Sequence, residues 1–271
     1  MKYKTLQEPE KSIFRKALVL DSEKGFDEEF NRTTNLEKRL IDEFGFAGIQ
    51  LIFENRNSAN YFALGDFPIT CPWAKFNDQP IQAFLESNFS LVQQRLPMLL
   101  AAMQERCKFI FAEQKNSEVW QLHYLMEGKL YDQRDYYRIY TGGMPIAEAK
   151  ANASLLKFGW TLPADLKEFY MIHNGFGEIN DAGCILNQEQ LVIKGEMMNP
   201  ICRELNTRPE DYRYDNLLEF FPDGAGNAQC FLRKETGNTT TVDWDHETWE
   251  ISGEESFYSF VDERLAQMDE E

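Results

Sequence analysis

The sequence predicts an α+β protein in two parts: an N-terminal α+β module over residues 1–141, and a C-terminal domain over residues 145–271 built on a mainly antiparallel sheet flanked by helices. Three observations predict it. Between Leu217 and Ile251, short apolar runs alternate with Gly/Asn-rich turns, the rhythm of an antiparallel meander. Apolar residues at helical spacing bracket that meander, at 162–173 and 257–268. Thr141, Gly142, Gly143, Met144 and Pro145 form a turn-rich stretch where a linker would lie.

The elements follow in order. Leu36 to Phe44 reads as a helix stopped by Gly45, and Ile49–Phe53 and Tyr61–Leu64 as strands joined by a polar turn. Helices are expected over Gln79–Leu85 and Ser90–Cys107, then strands over Lys108–Ala112 and Val119–Met126. In the last of these, Trp120, Leu122, Tyr124 and Met126 alternate onto one face. Glu127 and Gly128 look like a hairpin turn leading into Leu130 and Tyr131. Beyond the linker, Ile146–Phe158 reads as a helix with Ile146, Ala149, Ala153 and Leu156 inward. Short strands are expected at Cys184–Leu186 and Leu191–Ile193, and a helix at Glu196–Leu205. The meander strands are Leu217–Phe221, Ala228–Arg233, Thr239–Trp244 and Trp249–Ile251. Ser252 and Glu255 have capping-box spacing ahead of a last helix whose stripe is Phe257, Phe260, Val261, Leu265 and Met268.

The most informative stretch is residues 162–178. Pro163 suits a helix start, since the N–H it lacks has no partner there. Asp165 and Glu168 put negative charge in the early turns, where the helix dipole favours it. Leu162, Leu166, Phe169, Tyr170 and His173 share one helical face, and Asn174-Gly175 closes the segment. These words, with Phe158-Gly159 before them, resemble the signature of the SUKH superfamily, which includes the fungal Smi/Knr regulators and many bacterial toxin-immunity proteins. The later words agree: Phe221-Pro222-Asp223-Gly224 before a strand, Val242 to Glu247, and Ser256-Phe257-x-x-Phe260 opening a terminal helix. The resemblance covers about residues 145–268 and leaves residues 1–140 unassigned.

Charge is lopsided. Residues 1–140 hold 18 Lys/Arg and 20 Asp/Glu, a net of −2, whereas residues 141–271 hold 10 and 25, a net of −15. Such a field repels nucleic acid and anionic membrane and steers basic proteins toward it. No apolar run is long enough for a bilayer span, and the first residues lack the apolar core of a signal peptide. Five scattered cysteines without a C-x-x-C pair read as reduced thiols of a cytoplasmic protein.

One dense polar cluster, Asp243, Asp245, His246 and Glu247, could be considered for a metal. An acidic strand end turning into solvent is the stronger reading, because no further ligand converges in the sequence. Gly224 and Gly226 precede a strand rather than a helix, which makes a hairpin turn and not a phosphate cradle. His173 lies on an apolar helix face, and His123 has no acid or nucleophile near it in sequence. No catalytic residue, metal site or cofactor is therefore expected.

The resemblance implies an immunity protein that binds and neutralises a cognate toxin, possibly a nuclease, with a basic surface. The candidate partner-binding residues are Asp223, Asp243, Asp245, Glu247, Glu254 and Glu255. Trp244, Trp249 and Tyr258 could anchor a partner, although alternation puts Trp244 opposite the two aspartates and favours its burial. The alternative is a regulatory or scaffold protein docking an endogenous partner.

Overall fold

The computed structural model describes residues 60–115, 118–129, 135–178, 183–209 and 212–267. The helix expected at 36–44, the strand at 49–53, and Leu130, Tyr131 and Met268 lie outside them. The strands are β1 (Asn60–Ala63), β2 (Cys107–Gln114), β3 (Trp120–Lys129), β4 (Asp135–Gly143), β5 (Phe176–Glu178), β6 (Cys184–Ile185), β7 (Val192–Ile193), β8 (Leu217–Pro222), β9 (Ala228–Arg233), β10 (Thr239–Trp244) and β11 (Ile251–Glu255). The helices are α1 (Ile81–Asn88), α2 (Pro97–Arg106), α3 (Ala153–Lys157), α4 (Ala164–Tyr170), α5 (Lys194–Leu205) and α6 (Phe257–Ala266). The strands form two wholly antiparallel sheets, β1-β2-β3-β4-β5-β6 and β11-β10-β9-β8-β7. The protein is α+β, as the pattern predicts.

The stretch read as a linker is a strand. Thr141, Gly142 and Gly143 complete β4, pairing with His123, Leu122 and Gln121 on one side. On the other side Thr141 and Gly142 pair with Gly177 and Phe176 of β5, so the first sheet runs across the expected boundary at residues 141–145. The two glycines answer to a close approach. A Cβ on Gly142 would stand 2.2 Å from His173 Nδ1, and one on Gly143 2.3 Å from Asn174 O.

A shared core ties the halves together further. Phe89 and Phe169 both meet Phe176 edge-on, at 5.9 and 6.1 Å, and Phe169 continues the contact to Phe257 of α6 at 6.0 Å. The chain of rings thus passes from before residue 100 to the last helix inside one hydrophobic cluster. Proline opens α2 at Pro97, which is why the helix expected from Ser90 starts seven residues late. The first N–H groups of a helix have no partner within it. Asp262 of α6 supplies one from across the core, accepting from Leu99 N at 2.8 Å and Met98 N at 3.2 Å. Outside the core, Arg95 pairs with Asp165 (3.2 Å) and Glu168 (2.8 Å) of α4 and lies over the Tyr258 ring.

Other departures from the sequence reading have local causes. β3 runs through Glu127 and Gly128, which pair with Tyr137 and Tyr136 and so make no turn there. Only Ala153–Lys157 of the 146–158 segment is helical, because the Asn152 side chain caps its start by accepting from Leu155 N at 2.9 Å. Leu155 is therefore the buried residue, and Leu156 is exposed. Helix α4 ends at Tyr170, where the amides of Ile172 and His173 converge on Phe169 O, and Gly175 (φ +84°) then turns the chain into β5. Residues 252–255 belong to β11 rather than to a capping box. A register shift opposite Thr241–Asp243 takes up the extra residue, and Ser256 caps α6 by accepting from Ser259 N.

The second sheet is covered on both faces. Phe220 and Phe231 pack on Phe257 and the rest of α6, whereas Leu217, Cys230, Val242 and Trp244 pack with Met198 and Cys202 of α5. The first three meander strands that the sequence marks out lie in this one sheet, and of the expected Trp249–Ile251 strand only Ile251 does, β11 running on to Glu255.

Candidate partner-binding face

The acidic candidates lie where β8–β11 turn. A tight turn after β8 sets Asp223, whose Oδ1 accepts from Ala225 N at 2.8 Å. Along β10, alternation sends Val242 and Trp244 into the core and leaves Asp243 exposed. Gln229, its cross-strand neighbour on β9, donates from Nε2 to Asp243 Oδ1. Asp245 closes the turn into β11, its Oδ1 accepting from Glu247 N and Thr248 N at 2.8 Å each. Those bonds, Thr248 foremost, hold its carboxyl below the usual carboxylate range. Asp223, Asp243 and Asp245 meet around one shallow hollow of about 320 Å³, which Asn227, Gln229, Phe260 and Arg264 also line.

The other three acids are placed differently. Glu247 is exposed on the turn. Glu254 is held by Lys234 Nζ at 2.6 Å, and Glu255 is half-buried where β11 enters α6, so burial raises its carboxyl pKa. Among the described residues, Asp223, Asp243 and Glu247 are the exposed candidates outside any ion pair.

The aromatic anchors considered from sequence are structural. Trp244 is buried beneath Lys194, whose Nζ lies 3.9 Å from the ring centre and pairs with Glu219 at 2.5 Å. Tyr258 is buried, its hydroxyl donating to Glu168 Oε2 at 2.8 Å. Trp249 is half-buried in a left-handed conformation (φ +61°), and its carbonyl accepts from Tyr212.

The histidines hold structure. His246 is tied to Asn227 Oδ1 through both its backbone N (3.0 Å) and Nδ1 (2.8 Å). Among the described residues, no three His, Cys, Asp or Glu side chains gather as metal ligands. His173 is fully buried. Its Nδ1 faces Gly143 O at 3.2 Å and so carries the proton, while Nε2 accepts from Tyr124 OH at 2.8 Å, a hydroxyl that in turn accepts from Asn88 Nδ2 at 2.9 Å.

Strand register also brings together a trio that sequence separation concealed. His123 Nδ1 meets Thr141 Oγ1 at 2.8 Å and Nε2 meets Glu113 Oε2 at 3.1 Å, with Phe111 stacked on the ring at 4.7 Å. The residue types are those of a nucleophile, a base and an acid. Yet the imidazole has no solvent-accessible surface and both its nitrogens are occupied. The arrangement ties β2, β3 and β4 together across the sheet face.

Burial holds both imidazoles neutral, pushing His173 down to about 4 and His123 in the same direction. An unfolded histidine takes up its proton near pH 6.5. Stability from His173 is thus fully present above about pH 6.5 and is lost as pH falls toward 4, to a total of roughly 3 kcal/mol. Urea unfolding from pH 7 to 5 should show this slope, and His173→Gln should flatten it. An unchanged slope would contradict the burial argument.

Residues 145–263 match the SMI1 / KNR4 family (SUKH-1). No curated protein and no solved structure matches the chain. All five cysteines are free thiols, and no helix among the described residues is long and apolar enough to cross a membrane.

Proposed function

We propose that this chain, whose C-terminal half is a SUKH-1 domain, is a cytoplasmic immunity protein that binds and neutralises a cognate bacterial toxin through the acidic face at the ends of β8, β10 and β11. SUKH domains occur in toxin-immunity proteins. The observation that carries the reading is the grouping of uncompensated carboxylates, Asp223, Asp243 and Glu247, in a half with a net charge of −15. Enzymes that act on nucleic acid present basic clefts for phosphate, and an acidic face competes for such a cleft by matching its potential. The role is binding, without catalysis, metal or cofactor. Free thiols suit a reducing compartment.

The structure selects the variants that test this. Asp245 holds its turn, Glu254 is paired and Glu255 is half-buried, so reversing any of them perturbs the fold as well as the field. Asp243→Lys with Glu247→Lys changes two exposed charges, and Asp243→Asn, which keeps an acceptor for Gln229 Nε2, is the control for the hydrogen bond lost. Association of this variant with the cognate toxin should slow about tenfold or more at low salt, and the deficit should shrink as salt rises and the Debye length falls below about 8 Å. Reversing exposed Glu105 on α2 should do less. A rate independent of salt, or a larger loss from Glu105→Lys, would overturn the assignment of this face.

A further inference from the structure

The hollow shared by Asp223, Asp243 and Asp245 offers hydrogen-bond acceptors as well as charge. Alternation along β9 sends Ala228 and Cys230 toward α5 and puts Gln229 on the other face, where it lines the hollow and is only 8% exposed. Gln229 Nε2 donates to Asp243 Oδ1, but its Oε1 is buried without a partner. A buried acceptor left so is costly until a donor arrives. The carboxylates beside it have spare capacity too. Asp243 Oδ2 accepts no hydrogen bond among the described residues and lies so close to Gly253 that a Cβ there would stand 2.9 Å away. Asp223 commits only Oδ1, to Ala225 N.

The lining also decides which cation fits. It holds three carboxylates and one base, Arg264, a net of −2. Arg264 is exposed on α6 and enters no ion pair among the described residues, so the acceptors stay open. The carboxylates do not gather as ligands around one point, which disfavours a metal ion. Phe221 and Phe260, whose rings meet edge-on at 5.0 Å, give the hollow an aromatic wall.

We propose that this hollow receives the guanidinium of an arginine carried by the protein partner, and that Gln229 is the residue that selects arginine over lysine. The inference rests on the reading of this face as the partner's and adds the side chain the partner must present. A guanidinium is planar and carries five donors in a fixed fork, so one group can serve Asp243 Oδ2 and Gln229 Oε1 together, with Asp223 in the same hollow. Its plane and aliphatic stem pack on Phe260, a contact that suits a guanidinium better than a strongly hydrated ammonium. Charge attracts either cation to the face. The uncharged Oε1 rewards only the group whose donors reach it while a carboxylate is held.

The test uses the full chain and two fluorescein-labelled Gly/Ser peptides of equal charge, one with three arginines and one with three lysines, followed by anisotropy at low salt. The arginine peptide should bind about tenfold more tightly. Gln229→Met changes no charge and should remove that preference while leaving the lysine peptide's affinity as it was. If Gln229→Met lowers the unfolding midpoint, Asp223→Asn is the substitute. It keeps an acceptor for Ala225 N and should weaken the arginine peptide more than the lysine peptide. Equal binding of the two peptides, both weakened by Asp243→Lys with Glu247→Lys, would overturn the arginine inference and leave the acidic face standing. A preference for arginine that survives Gln229→Met or its substitute would overturn it as well. Binding of both peptides untouched by Asp243→Lys with Glu247→Lys would overturn this inference and the assignment of the face together.

Discussion

Residues 145–271, expressed without the residues before them, should fail to reach a cooperatively folded state. The loss is expected to equal or exceed the whole of an ordinary domain's stability, about 5–15 kcal/mol. Removing residues up to 144 takes β4 from the edge of β5 and leaves β5 and β6 as an isolated three- and two-residue pair. Asp262 would lose the amides of Met98 and Leu99, leaving a carboxylate beside newly exposed apolar surface. His173 would lose Tyr124, Asn88 and the Gly143 carbonyl together. Phe176 would face water where Phe89 and Tyr124 now cover it. The comparison is near-ultraviolet circular dichroism and urea unfolding of the fragment against the full chain. A fragment with native near-ultraviolet signal and a single sharp transition would show that the shared core is dispensable.

Gly142→Ala should destabilise the full chain by about 3 kcal/mol, near the upper end of what overpacking costs. Its Cβ would be 2.2 Å from His173 Nδ1 and 2.4 Å from Cγ, and a fully buried imidazole bonded at both nitrogens has nowhere to move. The same contact predicts coupling. His173→Ala costs stability on its own by opening a cavity, but in that background Gly142→Ala should cost much less, because its obstacle is gone. Urea midpoints for the two single variants and the double variant measure this. Strict additivity would mean that the ring and the glycine do not constrain one another.

That contact also shows what could be read from sequence and what could not. The meander was legible because tight Gly/Asn turns delimit it locally: Ala228–Arg233 and Thr239–Trp244 have the bounds expected. The buried face of 162–173 was legible for the same reason, being one helical stripe. Gly142-Gly143 misled because two glycines look alike whether they make a turn or admit a ring from residue 173. Only the long-range contact separates the cases. The acidic face was visible as charge, but the duties of its members were not. Asp245 as a turn acceptor and Glu254 as a partner of Lys234 depend on backbone geometry and on a residue 20 positions away. His123 and its two partners were concealed likewise until register set Thr141 opposite His123 on one side and Glu113, two residues beyond its partner Phe111, on the other.

Protection of cells tests the central claim most directly. The tagged full chain is used to capture partners from its own cells at low salt, and each captured protein is then expressed alone and together with the chain. An immunity protein should retain a partner with a basic surface that stops growth alone and is harmless when co-expressed, and Asp243→Lys with Glu247→Lys should weaken that protection. Capture of only non-toxic endogenous proteins, or toxicity undiminished by the chain, would contradict the account and favour a scaffold or regulatory role.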